Sequence, residues 1–198
     1  METDDQEEND MEWWLIRHGL TSWNADRRYQ GHSDVELLPN EKHGLEALSR
    51  KLKGVPFSAI YCSDLLRCRQ TLKYVLPDLD TKGVHYDSRL REMNFGEWEG
   101  KTYDMLKDIP LYCSWIDQPK CYTPPGGESW QQFEGRVNEI YCELRDISLN
   151  SNDPVLIVTH GGVISMMATF MNSGSNFWEA ARVEPGEVMK VTAPAISR

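Results

Sequence analysis

The sequence predicts an α/β fold, a three-layer α/β/α sandwich on a mostly parallel sheet. Two short apolar runs, Trp13–Ile16 and Val155–Val158, indicate buried strands, and each is followed within three residues by a His-Gly pair. Between them, short apolar segments alternate with helical patterns, as in sheets built from parallel strands. With 198 residues, the chain is long enough to bury most of its apolar surface in one domain.

The elements between these two strands follow from periodicity and capping residues. Leucines at helical spacing predict a helix over residues 41–53, and Ala59–Cys62 indicates a second strand. Ser63 and Asp64 then predict the cap of a helix that runs to Leu76. Val84–Tyr86 indicates a further short strand.

A lid insertion is predicted at about residues 101–153, where helical patterns and prolines occur without a clear strand. Inside it, Ser129-x-x-Gln132 forms a capping box before a helix with a continuous apolar face. A helix from about Val163 to Met171 and a last strand at Glu187–Val191 complete the sandwich. Six acids in residues 1–10 predict a disordered tail, which leaves 11–198 for the domain.

Composition disfavours several classes of protein. A formal net charge of −10 without a basic stripe argues against a nucleic-acid partner. No apolar run reaches the roughly 20 residues of a membrane span, and no signal peptide is visible. The five cysteines lack zinc-type spacing, which favours free thiols and no metal site. We therefore expect a cytoplasmic protein without a membrane partner.

One glycine-rich segment, Gly96 to Thr102, resembles a nucleotide-binding P-loop. It has three residues between its glycines instead of four, and it places Glu97 and Glu99 where phosphates would lie. Carboxylates at those positions would repel a nucleotide. The sequence therefore does not predict a triphosphatase.

The candidate catalytic residues follow strand ends, where open α/β sheets bind their ligands. Arg17 and His18 follow the first strand, and His160 follows the Val155–Val158 strand. Arg67 lies in the first turn of the helix after the second strand, and Glu92 in the loop after the third. A single strand histidine is more often a core residue, and Arg67 could equally be a surface arginine.

Together these side chains suit phosphoryl transfer without a metal ion. A neutral imidazole can attack phosphorus, while arginines neutralise the phosphoryl oxygens. A second histidine can donate a hydrogen bond to the same oxygens, and a carboxylic acid can protonate the departing alkoxide. No cofactor is needed for this chemistry.

The run from Leu15 to Asn24, LIRHGLTSWN, strongly resembles the opening motif of the histidine phosphatase superfamily, the phosphoglycerate-mutase-like proteins. Further segments resemble the family in the same order along almost the whole chain, namely residues 28–34, 61–67, 90–100, 125–129 and 158–164. The chain departs from the family pattern at Leu20, where Glu or Gln is common, and at Ser165, where Arg is common.

The resemblance implies a role for each candidate residue. His18 would become phosphohistidine, and Glu92 would be the proton donor. The phosphoryl group would be held by Arg17, Arg67 and His160, with Asn24 and the backbone of Gly161 assisting.

Within the family the loop at 125–129 and the run 91–100 are most similar to the α-ribazole phosphatase branch. The expected function is a metal-independent phosphomonoesterase acting on a small phosphorylated metabolite, with α-ribazole 5′-phosphate as first candidate. The alternatives are a phosphoglycerate mutase, another sugar-phosphate phosphatase, or a non-catalytic binding protein on the same fold. Mutases usually have paired lid arginines, whereas residues 101–153 contain only Arg136 and Arg145. For the oligomeric state, a homodimer is the hypothesis.

Aromatic residues in the lid are candidates for substrate specificity. Tyr112, Trp115 and Tyr122 lie in a stretch interrupted by prolines and outside the main core pattern. The alternative is that they pack only within the lid.

Overall fold

A five-stranded sheet forms the centre of the molecule, with strand order β3-β2-β4-β1-β5. The computed structural model describes residues 11–149, 151–172, 176–180 and 182–193. The predicted acidic tail at 1–10 lies outside the described residues. The strands are β1 Met11–Arg17, β2 Ala59–Cys62, β3 Val84–Tyr86, β4 Val155–Thr159 and β5 Val188–Ala193.

The four strands β1 to β4 are parallel, and only β5 is antiparallel, along β1. Every residue of β4 is buried, because helices cover both faces of the sheet centre. The predicted α/β fold on a mostly parallel sheet is therefore confirmed.

Helices form the two outer layers. The α-helices are α1 Ser22–Ala25, α2 Glu41–Gly44, α3 Glu46–Leu52, α4 Leu66–Val75, α5 Tyr103–Leu106, α6 Pro110–Asp117, α7 Trp130–Ser148, α8 Gly161–Met171 and α9 Phe177–Ala180. Short 3-10 helices lie at Thr81–Gly83, Ser88–Leu90 and Gly96–Trp98. Successive side chains of β1 point to opposite faces of the sheet. Trp13 packs in one core with α7 and α8, whereas Trp14 packs in the other with α3 and α4.

Three predicted boundaries were wrong by a few residues. The helix predicted over 41–53 is two helices, α2 and α3, which meet at Leu45 directly after Gly44, a poor helix former. Helix α4 begins at Leu66, so Ser63 and Asp64 lie before it and make side-chain hydrogen bonds elsewhere. Helix α8 begins at Gly161 and not at Val163.

The segment predicted as a lid contains a helix of the sandwich. The predicted capping box is present, since the Ser129 side chain accepts from the backbone N–H of Gln132. From there α7 buries its apolar face in the same core as β1 and α8. The preceding part of the segment, 101–129 with α5 and α6, also contributes Leu106, Tyr112 and Trp115 to that core. We propose that this shorter part, which contains no long helix, serves as the lid.

Two further observations concern the chain as a whole. All five cysteines are free thiols, as predicted. Among the residues that the structure describes, none forms a helix long and apolar enough to span a membrane.

The side chain of Trp13 connects the sheet to α7 and supplies a test of the core. It is fully buried, its indole N–H donates to the Ser148 hydroxyl at 2.7 Å, and its ring meets that of Tyr141 edge-on. We predict that Trp13→Ala lowers the free energy of unfolding by about 3–5 kcal/mol, because a large cavity replaces the ring. Trp13→Phe should cost less, although it loses the hydrogen bond and part of the ring. Urea denaturation measures both, and equal costs would contradict this account of the packing.

Candidate active site

Two histidines meet where β1 and β4 end. Arg17 pairs with Thr159 in the parallel register, so His18 and His160 leave the sheet side by side. The His18 backbone N–H donates to the Thr159 carbonyl at 2.9 Å. The two imidazole rings lie edge to face with centroids 5.1 Å apart, and both rings are buried. The prediction that these residues share one edge of the sheet is therefore correct.

His18 has the proton arrangement of a nucleophile. Its Nδ1 lies 2.7 Å from the Gly19 carbonyl oxygen, which can only accept, so Nδ1 carries the proton. Burial, followed by the charge of Arg67, lowers the pKa of His18 well below its ordinary value, so the ring is neutral at neutral pH. Nε2 then holds a lone pair, and within the described part of the chain it has no hydrogen-bond partner.

Arg67 is fully buried, so the interpretation as a surface arginine is wrong. Its guanidinium donates to the carbonyls of Ser33 and Gly31, at 2.9 and 2.7 Å, and to Nδ1 of His160 at 3.1 Å. These acceptors are all neutral. The side chain is therefore a buried cation that lacks an ionic partner at hydrogen-bond distance among the described residues, a setting that favours an anionic ligand.

The hydrogen bonds of His160 define its tautomer. Nδ1 accepts from Arg67, so Nε2 carries the proton and donates to the Ser63 hydroxyl at 2.9 Å. Burial, and then the Arg67 charge, lowers the pKa of His160 well below its ordinary value. The neutral ring orients Arg67, and a direct bond to a phosphoryl oxygen would require Nε2 to leave Ser63. Ser63 was predicted only as a helix cap.

The carboxylate of Glu92 lies at the first turn of α8, close to the ends of β1 and β4. One carboxylate oxygen accepts the backbone N–H of Gly162 at 2.9 Å, and the other accepts that of Met93 at 3.0 Å. A Cβ on Gly162 would overlap the Glu92 carboxylate, so this position requires glycine. Gly162 was not among the predicted site residues. The signal for it was the second glycine after His160.

Arg17, Asn24 and Gly161 are the remaining predicted site residues. The Arg17 guanidinium donates to the Val183 carbonyl at 2.9 Å and packs on Gly161, while its buried Nε has no partner in the described part of the chain. Arg17 and Asn24 line a common pocket of about 390 Å³. The Asn24 carbonyl oxygen accepts the Thr21 backbone N–H at 3.2 Å, which fixes this amide at the pocket wall.

Two further polar residues, neither predicted as part of the site, hold Arg67 and the surrounding loops in place. The Thr71 hydroxyl accepts the Gly19 N–H at 2.9 Å and donates to the Arg67 carbonyl at 2.7 Å, which joins α4 to the loop after β1. The Glu99 carboxylate accepts the backbone N–H groups of His32 and Ser33, at 2.8 and 2.7 Å, and the Ser33 hydroxyl. It thereby fixes the loop whose carbonyls bind Arg67. Glu99, one of the two acids that argued against a P-loop, therefore orders the loop around the buried Arg67 cation.

An aromatic pocket of about 260 Å³ adjoins the site at Glu92 and Gly162. Trp115 and Trp130 line it, are 4% and 5% exposed, and have indole N–H groups without partners among the described residues. Other walls come from α7, α9 and two loops, including Tyr29, Phe95, Phe133, Phe177 and Trp178.

The three predicted lid aromatics differ in their surroundings. Trp115 lines this aromatic pocket, whereas Tyr112 is buried in the core with its hydroxyl 2.7 Å from that of Tyr29. Tyr122 is exposed and does not line the pocket. The structure therefore singles out Trp115 among the three.

Known proteins resemble the chain in both sequence and fold. Residues 13–194 match the model of the histidine phosphatase superfamily (branch 1). The adenosylcobalamin/alpha-ribazole phosphatase of Escherichia coli is 34% identical over 79% of this chain and 77% of its own length. The protein of the same name from Salmonella typhimurium is 33% identical over 89% of this chain and 87% of its own length.

A solved structure of a phosphatase is also similar to the chain. The alpha-ribazole phosphatase from Shigella flexneri superposes with a TM-score of 0.81 at 32% identity, covering 91% of this chain and 89% of that one. The family-model match, residues 13–194, spans both histidines and all the charged residues of the candidate site. The chain is therefore a phosphatase and belongs to branch 1 of the histidine phosphatase superfamily.

Proposed function

We propose that this phosphatase hydrolyses monoesters whose alcohol carries a flat aromatic group, through a phosphohistidine on His18. The observation that carries the proposal is the aromatic pocket beside Glu92. α-Ribazole 5′-phosphate, in which a ribose bears an aromatic base, is the proposed substrate. The names of the Escherichia coli and Salmonella relatives support this choice.

The proposed reaction has two steps. Nε2 of His18 forms a bond to phosphorus while the P–O bond to the alcohol breaks, and Glu92 gives its proton to the departing oxygen. The guanidinium groups of Arg17 and Arg67 neutralise the phosphoryl oxygens in the role that metal ions fill in other phosphoryl-transfer sites. Water then attacks phosphorus, the P–N bond breaks, and the Glu92 carboxylate takes the proton of that water.

The position of Glu92 determines where the rest of the alcohol lies. A proton donor must be within hydrogen-bond reach of the leaving oxygen, so that oxygen lies next to Glu92 and the rest of the alcohol extends from there on the side opposite phosphorus. The aromatic pocket begins at this carboxylate and is mostly apolar. Aromatic rings gain both from burial and from edge-to-face contacts with such walls.

The phosphoglycerate mutase alternative is disfavoured by the surroundings of the two arginines in the 101–153 segment. Arg136 donates to the Glu92 backbone carbonyl at 2.8 Å and forms a two-bond ion pair with Glu128, so its donors are already used. Arg145 lies 3.9 Å from Asp146 in the last part of α7. Neither provides the paired lid arginines that mutases use for the substrate carboxylate.

The specificity proposal predicts that Trp115→Ala changes the ranking of substrates. The wild type should hydrolyse α-ribazole 5′-phosphate with a higher kcat/KM than glycerol phosphate or phosphoglycerate. Loss of the Trp115 ring should reduce kcat/KM for the aromatic ester by about tenfold, since one aromatic contact contributes about 1 kcal/mol beyond burial. The small esters should be nearly unaffected. Tyr122→Ala is the control, and an unchanged ranking in Trp115→Ala would refute the proposed pocket.

The role of Glu92 can be tested by varying the leaving group. Glu92→Gln should slow phosphohistidine formation from alkyl phosphates by about 10² to 10⁴, because an alkoxide needs its proton. The same step with p-nitrophenyl phosphate should slow much less, because p-nitrophenolate leaves as an anion. Rapid-quench measurement of the first turnover isolates this step from attack by water. Equal losses with both esters would assign Glu92 to phosphate binding instead.

A further inference from the structure

We propose that Glu41 is the remote carboxylate of a relay that runs through one peptide bond to His18 and stabilises the phosphorylated ring. The inference rests on the proposed phosphohistidine and concerns how that intermediate is formed and released. Glu41 touches neither the imidazole nor the site of the phosphoryl group in this scheme. It is a positioning and charge-stabilising residue.

The relay consists of two hydrogen bonds on the peptide between Gly19 and Leu20. Its carbonyl accepts the Nδ1 proton of His18 at 2.7 Å. Its N–H donates to the Glu41 carboxylate at 2.8 Å. In a trans peptide the C=O and the N–H point in opposite directions within the amide plane, so the imidazole and the carboxylate lie at opposite edges of one peptide group.

The surroundings hold this peptide in place. The preceding N–H, that of Gly19, donates to the Thr71 hydroxyl at 2.9 Å. A Cβ on Gly19 would come within 2.8 Å of Cγ of Glu41, so glycine is needed for the carboxylate to approach. Within the described part of the chain, the Glu41 carboxylate has no Lys, Arg or His nitrogen at ion-pair distance. Its negative charge is thus not neutralised by a neighbouring side chain.

The residue at position 20 explains why the carboxylate comes from Glu41. Leu20 stands where a Glu or Gln is common in the family, so its own side chain offers no polar group there. Only its backbone N–H can join a hydrogen-bond chain to His18, and Glu41 from α2 accepts that N–H. A carboxylate therefore reaches this part of the site from a different element.

The electrostatic effect of the relay follows from the charge on the imidazole. When Nε2 bonds to phosphorus while Nδ1 keeps its proton, the ring becomes cationic. Arg17 and Arg67 hold the phosphoryl oxygens but repel a cationic ring, and both lower the pKa of His18. A carboxylate on the far side of the amide polarises its carbonyl toward Nδ1, because hydrogen bonds in series strengthen one another. Glu41 thus opposes the repulsion from the arginines.

The Glu41 charge changes the rates of the two chemical steps in opposite directions. Positive charge develops on the ring while the P–N bond forms, so the carboxylate accelerates phosphorylation. The charge disappears when water attacks and the P–N bond breaks, so the same carboxylate slows release. A residue that only holds the loop in place would have the same sign in both steps, because a misplaced histidine impairs both.

Glu41→Gln separates these possibilities, because the amide keeps an oxygen that can accept the Leu20 N–H but carries no charge. We expect rapid-quench single turnovers to show phosphohistidine formation slowed about tenfold, the order of one charge-assisted hydrogen bond. Decay of the isolated phosphoenzyme should become faster. Glu46→Gln is the matched control, since Glu46 is exposed and its ion-pair partner among the described residues is the exposed His43. It should change neither rate.

Glu41→Asp provides a second variant that retains the charge and also covers the case in which Glu41→Gln does not fold. Its phosphoenzyme should decay no faster than that of the wild type. Slower formation together with slower decay in Glu41→Gln, or rates equal to the Glu46→Gln control, would overturn the relay. Faster decay in Glu41→Asp would also overturn it. If the wild type formed no phosphohistidine, the proposed function itself would fail, and the relay with it.

Discussion

The site depends on one electrostatic constraint, the burial of the Arg67 guanidinium among neutral acceptors. Removing a cation from water costs several kcal/mol unless an anion or a full set of hydrogen bonds replaces the water. Here two backbone carbonyls and His160 supply hydrogen bonds, and the described residues supply no carboxylate at hydrogen-bond distance. In the proposed reaction, a phosphoryl group brings the missing negative charge. Substrate binding and the stability of this arrangement therefore rest on the same interaction.

Other residues of the site hold Arg67 in place, and its positive charge also affects the two histidines. Glu99 fixes the loop that presents the two carbonyls, although it contributes no hydrogen bond to Arg67 itself. The same positive charge helps to keep His18 and His160 neutral, which gives His18 a free lone pair but disfavours a cationic ring after phosphorylation. In the proposed relay, the Glu41 carboxylate offsets this effect on the ring through the Gly19–Leu20 peptide, without binding the arginines.

The fold and the catalytic edge could be predicted from the sequence because parallel strands end at a common edge. The two apolar runs before His18 and His160 contain that information locally. The burial of Arg67 could not be predicted, because its two carbonyl acceptors come from a loop more than thirty residues earlier in the chain and its third acceptor, His160, lies 93 residues later. Trp115 and Trp178 likewise meet in one pocket from separate segments, so neither pattern alone distinguishes a pocket wall from core packing. Contacts between distant segments were the part that the sequence left open.

The central claim is that His18 carries the phosphoryl group between the ester and water. The most direct test is rapid acid-free quenching during the first turnover, followed by peptide mass analysis at neutral or alkaline pH, where phosphohistidine survives. The account predicts one added phosphoryl group on the peptide that contains His18, formed before product release is complete, and none in His18→Ala. Turnover without an adduct on His18, or an adduct on another residue, would contradict it.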